Sequence, residues 1–146
     1  MIYTIENEYL RVKVSTVGAT LVSFIDKKTN TDIVLGFDDQ ASYFKNTGPH
    51  LGATVGRNAN RIANGSFVIE GEKYQLSLNE PDICLHSGVG DLSFRGYTLK
   101  ELKEDEIVLS LFDGDMSGGF PGNLNLEVSY SLKNNQLIYS FTGLCD

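Results

Sequence analysis

The stretch Leu124–Lys133 has the sequence LNLEVSYSLK, which places an apolar side chain at every second position. Successive side chains of a β-strand point to opposite faces, so this alternation predicts a strand with one buried face. Residues 133–135 (KNN) form a turn signal, and Leu137, Tyr139 and Phe141 alternate after it. The segment therefore predicts two long antiparallel strands joined by a tight turn.

The same period of two recurs along most of the chain. Val12 and Val14 alternate with polar residues near the N-terminus. Further alternating segments flank short turns: residues 67–69 and 74–78 around 70–71, and residues 97–102 and 107–112 around 103–105. About ten strands at this spacing, without a sustained helical period, predict an all-β sandwich.

Two long irregular stretches interrupt this rhythm, at residues 36–64 and 79–96. Both are rich in turn-forming residues and are predicted to be loops. Long loops on a strand scaffold commonly carry binding groups, so we expect the functional residues there. Without a linker or internal repeat, residues 1–146 are predicted to belong to a single domain.

Composition restricts the possible partners. The chain has 146 residues and a net charge of −7, which argues against nucleic acid or an anionic membrane and fits a neutral small molecule. Cys84 and Cys145 match neither a redox pair nor a zinc site. The first residues lack the features of a secretory signal, and no apolar run approaches the roughly 18 residues of a membrane span. These features predict a cytoplasmic protein with reduced thiols.

Two sequence segments could carry chemistry. His86 lies in the loop sequence CLHSG, where an imidazole could face a cleft and exchange protons near neutral pH, or serve only as a structural hydrogen-bonding group. Residues 52–62, GATVGRNANRI, place two arginines and two asparagines within five residues. Their planar donors suit vicinal hydroxyls, although a solvated loop would have a similar composition. His50 follows Pro49 in a loop, and nothing else in the sequence supports a functional role for it. The acidic pair at 113 and 115 is predicted to form a turn rather than a calcium-binding loop.

Residues 52–65, GATVGRNANRIANG, closely resemble the hallmark segment of the aldose 1-epimerases, also called galactose mutarotases. Three further segments agree with that family in order and spacing: residues 34–38 (VLGFD), 85–86 (LH) and 119–122 (GFPG). The resemblance implies a galactose mutarotase-like β-sandwich, or supersandwich, with an open sugar cleft. It also implies interconversion of the α- and β-anomers of aldohexoses such as galactose and glucose, with no metal or organic cofactor.

In that reaction a carboxylate removes the proton of the C1 hydroxyl while an imidazole protonates the ring oxygen. Carried over by position, His86 is the catalytic residue and Asn60 and Arg61 bind sugar hydroxyls. Arg57 is a further candidate for sugar binding, with bracing of the loop as the alternative. The family usually has Gly-Gly after this histidine, where the present chain has Ser87-Gly88.

The resemblance also predicts that residues 1–146 are the N-terminal part of a larger domain. The family's second histidine and its catalytic glutamate lie further along the family sequence, so this chain alone is expected to be inactive. The alternative is a non-catalytic carbohydrate-binding module of the same fold. The C-terminal strand is predicted to leave a sheet edge that either the C-terminal half of the sandwich or a second copy would cover.

Overall fold

The computed structural model describes residues 1–45 and 50–146 and contains two four-stranded antiparallel sheets. The first sheet has the order β1-β2-β3-β4 and consists of Ile2–Glu6, Leu10–Ser15, Thr20–Asp26 and Thr31–Asp32. The second has the order β12-β11-β10-β9, in which β9 is Thr98–Leu102, β10 is Glu106–Asp113, β11 is Leu124–Lys133 and β12 is Gln136–Cys145. The predicted long hairpin is confirmed, because Leu124 pairs with Cys145 and Lys133 with Gln136.

The alternating apolar faces of the two sheets form the main core. Val12 and Val14 of the first sheet and Leu109, Val128 and Tyr130 of the second are fully buried in one cluster. Each such side chain contributes about 1.5–3 kcal/mol when it leaves water, which is why the period of two determines which face of each strand turns inward. The all-β sandwich predicted from the sequence is therefore confirmed.

Two further sheets have two strands each. One is the predicted hairpin, β6 (Ser66–Ile69) with β7 (Glu72–Gln75). The other pairs β5 (Arg61–Ala63) with β8 (Ile83–Leu85) and joins the two regions predicted to be loops. The described residues thus form twelve strands, more than the ten or so predicted.

The predicted loop at residues 36–64 also contains a helix, α1 (Gln40–Tyr43). The side chain of Asp39 accepts a hydrogen bond of 3.0 Å from the backbone N–H of Ser42 and so caps its first turn. In the second stretch, Gly88–Gly90 and Leu92–Phe94 form short 3-10 helices. No helix within the described part of the chain is long and apolar enough to cross a membrane.

Strand β12 lies at the edge of the second sheet and is largely exposed. In the register of the hairpin, Tyr139 and Phe141 stand opposite the buried residues Tyr130 and Val128, so they face the same side of the sheet. Phe141 nevertheless remains 54% exposed. The inner apolar surface of the second sheet therefore extends beyond the area that the first sheet covers.

Candidate active site

The β5–β8 pair brings the two long irregular stretches together. Arg61 pairs with Leu85, so Asn60 and His86 lie side by side at the same end of this two-stranded ladder. The backbone N–H of Asn60 donates to Nδ1 of His86 at 3.0 Å. In return, the backbone N–H of His86 donates to the carbonyl oxygen of Asn60 at 3.1 Å. Two residues that the sequence assigned to one sugar site are thus bonded directly to each other.

This bond determines which nitrogen of His86 carries the proton. Nδ1 acts as an acceptor toward the N–H of Asn60, so the proton of the neutral ring is on Nε2. In this tautomer the imidazole can donate a hydrogen bond from Nε2 while its other nitrogen stays engaged with the protein. The arrangement suits contact with a hydroxyl or ring oxygen of a sugar.

Arg61 is held by Glu80, a partner from the second long stretch. The Nε and Nη2 atoms of Arg61 donate to the two carboxylate oxygens of Glu80 at 2.9 and 3.2 Å, in a bidentate pair. The hydrogen bond from Arg61 lowers the pKa of the Glu80 carboxyl, so this acid stays ionised at neutral pH. About half of the Arg61 side chain is exposed to solvent. Glu80 accepts from two of the five N–H donors of the Arg61 guanidinium, so the other three can serve a ligand.

Arg57 has a different environment from Arg61. Its Nε donates to the carboxylate of Asp113 at 2.7 Å, and its Nη2 donates to the carbonyl oxygens of Asp113 and Gly114, both at 3.0 Å. Its Nη1 donates to the carbonyl oxygens of Pro121 and Gly122 at 3.0 and 2.8 Å. All five N–H donors of Arg57 therefore have acceptors within the chain, which favours bracing of the loop over sugar binding.

Asp113, the last residue of β10, is the anchor of that brace. Its side chain is 1% exposed, and its second carboxylate oxygen accepts a hydrogen bond of 3.0 Å from Arg95. The two guanidinium groups compensate the buried carboxylate, which would otherwise be very costly. Asp113 thus holds residues 52–65, the glycine-arginine segment, against the second sheet.

The chain has Ser87 directly after His86, where the family resemblance predicts the first glycine of a Gly-Gly pair. Its backbone is left-handed, with φ of +67°, a conformation that glycine adopts without steric cost. The hydroxyl of Ser87 accepts a hydrogen bond from the backbone N–H of Asn58 at 2.8 Å and donates to the carbonyl oxygen of Asn58 at 3.2 Å. This side chain is buried and ties the loop of His86 to the glycine-arginine segment.

The structure adds His50 to the site, although the sequence alone gave no support for a role of this residue. His50 lies against His86, with ring centroids 4.9 Å apart and planes inclined by 54°. Its Nε2 is 2.9 Å from a carboxylate oxygen of Asp91, which is buried. No local motif indicates this contact, because His50 and Asp91 come from different loops. Within residues 1–45 and 50–146, no group of three or more His, Cys, Asp or Glu side chains is placed to hold a metal ion.

Residues of the glycine-arginine segment line two cavities. One of about 410 Å³ is lined by Arg57, Asn58, Ile62, Phe67 and Phe120. Another, of about 320 Å³, is bounded by residues 54–57 of that segment together with Leu92, Leu124, Leu126, Phe141 and Cys145. Two larger grooves, of about 660 and 710 Å³, lie along the first sheet. Asn60, Arg61 and His86 line none of these four cavities.

Comparison with known proteins supports the family resemblance and this fold. The family model for aldose 1-epimerase matches residues 1–146. The galactose mutarotase of Bos taurus is 32% identical over 142 residues, and the match covers 95% of this chain and 41% of that protein. The aldose 1-epimerase of Haemophilus influenzae is 35% identical over 147 residues, covering 98% of this chain and 42% of that protein.

Solved structures give the same result. A GalM/aldose epimerase homologue from Caenorhabditis elegans superposes with a TM-score of 0.92 at 30% identity, covering all of this chain and 46% of that one. Galactose 1-epimerase from Lactobacillus acidophilus gives a TM-score of 0.87 at 32% identity, covering 98% and 43%. The fold is thus a β-sandwich of the galactose mutarotase-like class. The chain belongs to the aldose 1-epimerase family, and it spans about two fifths of the length of the curated relatives it matches.

Proposed function

We propose that this chain supplies the sugar-binding half of an aldose 1-epimerase site, which interconverts the α- and β-anomers of aldohexoses such as galactose and glucose. The observation that carries the proposal is the reciprocal bonding of Asn60 and His86, with Arg61 beside them. A carboxamide, a guanidinium and an Nε2–H imidazole together offer several directional donors within one small area. Such donors match the closely spaced oxygens of a hexose.

In the proposed reaction the protein moves protons and forms no bond to the sugar. A carboxylate takes the proton of the C1 hydroxyl, the bond between C1 and the ring oxygen breaks, and the ring oxygen receives a proton. Rotation about C1–C2 followed by closure gives the other anomer. His86 would donate its Nε2–H to an oxygen at the reacting end, while Arg61 and Asn60 hold the remaining hydroxyls. Ring opening and closure are proton transfers that positioned side chains can carry out, so the proposed reaction uses no cofactor.

The proposal includes inactivity of the 146-residue chain by itself. Glu80 is ionised but already bonded to Arg61 by two hydrogen bonds, which makes it a poor base. The two histidines of the sequence lie together at one site. The family resemblance implies a second histidine and a catalytic glutamate further along the family sequence, and this chain matches only 41% and 42% of the length of two relatives.

Polarimetry and NMR together test this function. Freshly dissolved α-D-galactose is followed by polarimetry with and without the chain, and galactose binding is followed by NMR titration. We expect saturable binding that His86→Ala weakens, with no saturable acceleration of mutarotation. The matched control is Arg11→Ala, which removes an exposed arginine paired with Glu6, remote from His86 in the fold.

The possible outcomes separate the alternatives. Absence of galactose binding would overturn the sugar-site proposal. Saturable acceleration that His86→Ala abolishes would overturn the proposed inactivity, because the chain would then carry its own acid and base. If binding without acceleration persists when the C-terminal part of a relative is added, the chain is a carbohydrate-binding module instead.

We further propose that the inner face of β12 is covered by the C-terminal part of the sandwich. The supporting observations are the exposed inner residues Tyr139 and Phe141 and the greater length of the relatives. Hydrogen exchange of β12 amides tests this when a C-terminal fragment of the Haemophilus influenzae relative is added. New protection in β12 that Phe141→Lys abolishes is expected, with Thr142→Lys, on the opposite face, as the control. Protection that instead rises with the concentration of the chain alone would indicate a second copy.

A cytoplasmic location is part of the proposal. Cys84 is buried and Cys145 is exposed, and both are free thiols in the structure. A reducing compartment keeps such thiols unpaired. Fractionation of cells that produce the tagged protein would test the location.

A further inference from the structure

The proposed sugar chemistry does not use the contact between His50 and His86. His50 comes from the loop after α1, whereas His86 follows β8, so the two imidazoles meet only through the fold. Both residues have left-handed backbones, with φ of +49° for His50 and +51° for His86. Such backbones cost free energy in a non-glycine residue and persist where the surrounding structure fixes them.

His50 is held in place from two sides. The side chain of Asp91 is 3% exposed, and one of its oxygens lies 2.9 Å from Nε2 of His50. The other oxygen of Asp91 accepts a hydrogen bond of 2.9 Å from the backbone N–H of Ser93. The ring of Phe94 lies on His50 with a centroid distance of 5.4 Å. Since a buried carboxylate needs polar partners, Asp91 and His50 stabilise each other.

The segment that contains Asp91 is also hydrogen-bonded to the glycine-arginine segment. The backbone N–H of Leu92 donates to the carbonyl oxygen of Gly56 at 3.1 Å. Asp91, which fixes His50, is therefore connected to the loop that presents Asn60. A bond at Nδ1 from Asn60 and the packing of the His50 ring then constrain the orientation of the His86 imidazole from two directions.

We propose that His50 and Asp91 are positioning residues for His86: the Asp91 carboxylate holds the His50 ring, and this ring packs against His86 and keeps its Nε2–H directed toward the sugar. A phenyl ring at position 50 could pack but could not bond to Asp91, whereas an imidazole does both. The inference rests on the proposed function, because the direction of Nε2–H matters only if His86 contacts the sugar. Orientation of this kind affects rate and affinity strongly, since small misplacements of a site group are costly.

Three variants test the inference. His50→Asn removes the ring but suits a left-handed backbone. Asp91→Ala removes both hydrogen-bonding atoms, while Asp91→Asn keeps one oxygen that can accept the N–H of Ser93 and an amide group that can donate to Nε2 of a neutral His50. Tyr43→Phe is the matched control, because it removes a buried hydroxyl that accepts the N–H of Phe37 at 2.8 Å in a separate cluster.

Imidazole ¹⁵N NMR of His86 in the sugar-free chain is the first measurement, and galactose affinity is the second. In the unchanged chain and in Asp91→Asn we expect a sharp Nε2–H tautomer. In His50→Asn and Asp91→Ala we expect exchange-broadened or tautomer-averaged signals and roughly tenfold weaker galactose binding. Tyr43→Phe should lose stability while the His86 signals stay as they are.

Unchanged His86 signals together with unchanged affinity in a folded His50→Asn variant would overturn the inference. If His50→Asn does not fold, the comparison of Asp91→Ala with Asp91→Asn decides, because only the alanine leaves His50 without a hydrogen-bonding side chain at position 91. If the unchanged chain binds no galactose, the proposed function fails, but the ¹⁵N signals still show whether His50 and Asp91 position His86.

Discussion

His86 accepts the backbone N–H of Asn60 at its Nδ1 atom, and its own backbone N–H donates to the carbonyl oxygen of Asn60, at 3.0 and 3.1 Å. One residue thus fixes both the backbone and the ring of the other. This organisation exists in the chain without a ligand, so the proposed binding of a sugar would lose less entropy. This relationship also separates the role of the Asn60 backbone from that of its side chain.

Asn60→Gly tests the Asn60 side chain alone. Asn60 has a left-handed backbone with φ of +70°, which glycine adopts freely, so the bond to His86 should persist. We expect galactose affinity to fall by up to about tenfold, because the carboxamide is lost, while stability changes by less than about 1 kcal/mol. NMR titration and urea unfolding measure the two effects. Unaltered affinity would mean that the Asn60 carboxamide does not touch the sugar.

Ser87 allows a comparison of alanine with glycine. Both Ser87→Ala and Ser87→Gly remove the hydroxyl that bonds to the backbone of Asn58, at a cost of about 1–3 kcal/mol. Alanine must also keep the left-handed φ of +67°, whereas glycine does so without strain. We therefore expect Ser87→Gly to be more stable than Ser87→Ala by about 1 kcal/mol in urea unfolding. The reverse order would show that backbone strain does not govern this position.

The strands that a periodic sequence pattern could predict are those that face the main core. Alternation over Leu124–Lys133 corresponds to β11, because burial against the first sheet imposes a period of two. Strands β5 and β8 have three residues each, too few for a period to show. Their pairing depends on tertiary packing that joins distant segments, so the sequence placed both in loops.

Residue chemistry indicated two candidate segments, and the family resemblance then assigned roles to individual residues within them. That resemblance named Asn60, Arg61 and His86, which the β5–β8 ladder brings together. His50 could not be found in this way, because its significance lies in a contact with Asp91 across 41 positions. Local sequence patterns carry no information about such a contact.

The ion pair of Arg61 and Glu80 predicts a dependence on pH. Hydrogen bonding to Arg61 lowers the pKa of Glu80, so the pair is complete above the ordinary carboxyl pKa and is lost as the pH falls through the lowered value. We expect Arg61→Ala to raise the pKa of Glu80 toward its ordinary value, as measured by ¹³C carboxyl NMR titration. Glu6, whose pKa is lowered chiefly by Arg11, should be unaffected and serves as the internal control. An unchanged Glu80 titration would contradict the pairing.

Arg57 should act on stability, in contrast to its neighbour Arg61. Arg57→Ala leaves the buried Asp113 with Arg95 as its remaining cationic partner and removes the donors of four carbonyl contacts. Breaking a buried pair on one side costs about 3–5 kcal/mol, which urea unfolding would detect. Arg11→Ala, at an exposed pair, should cost less than about 1 kcal/mol. A variant at position 57 that unfolds like the unchanged chain but loses galactose binding would instead assign Arg57 to the sugar, because a brace cannot be removed without a loss of stability.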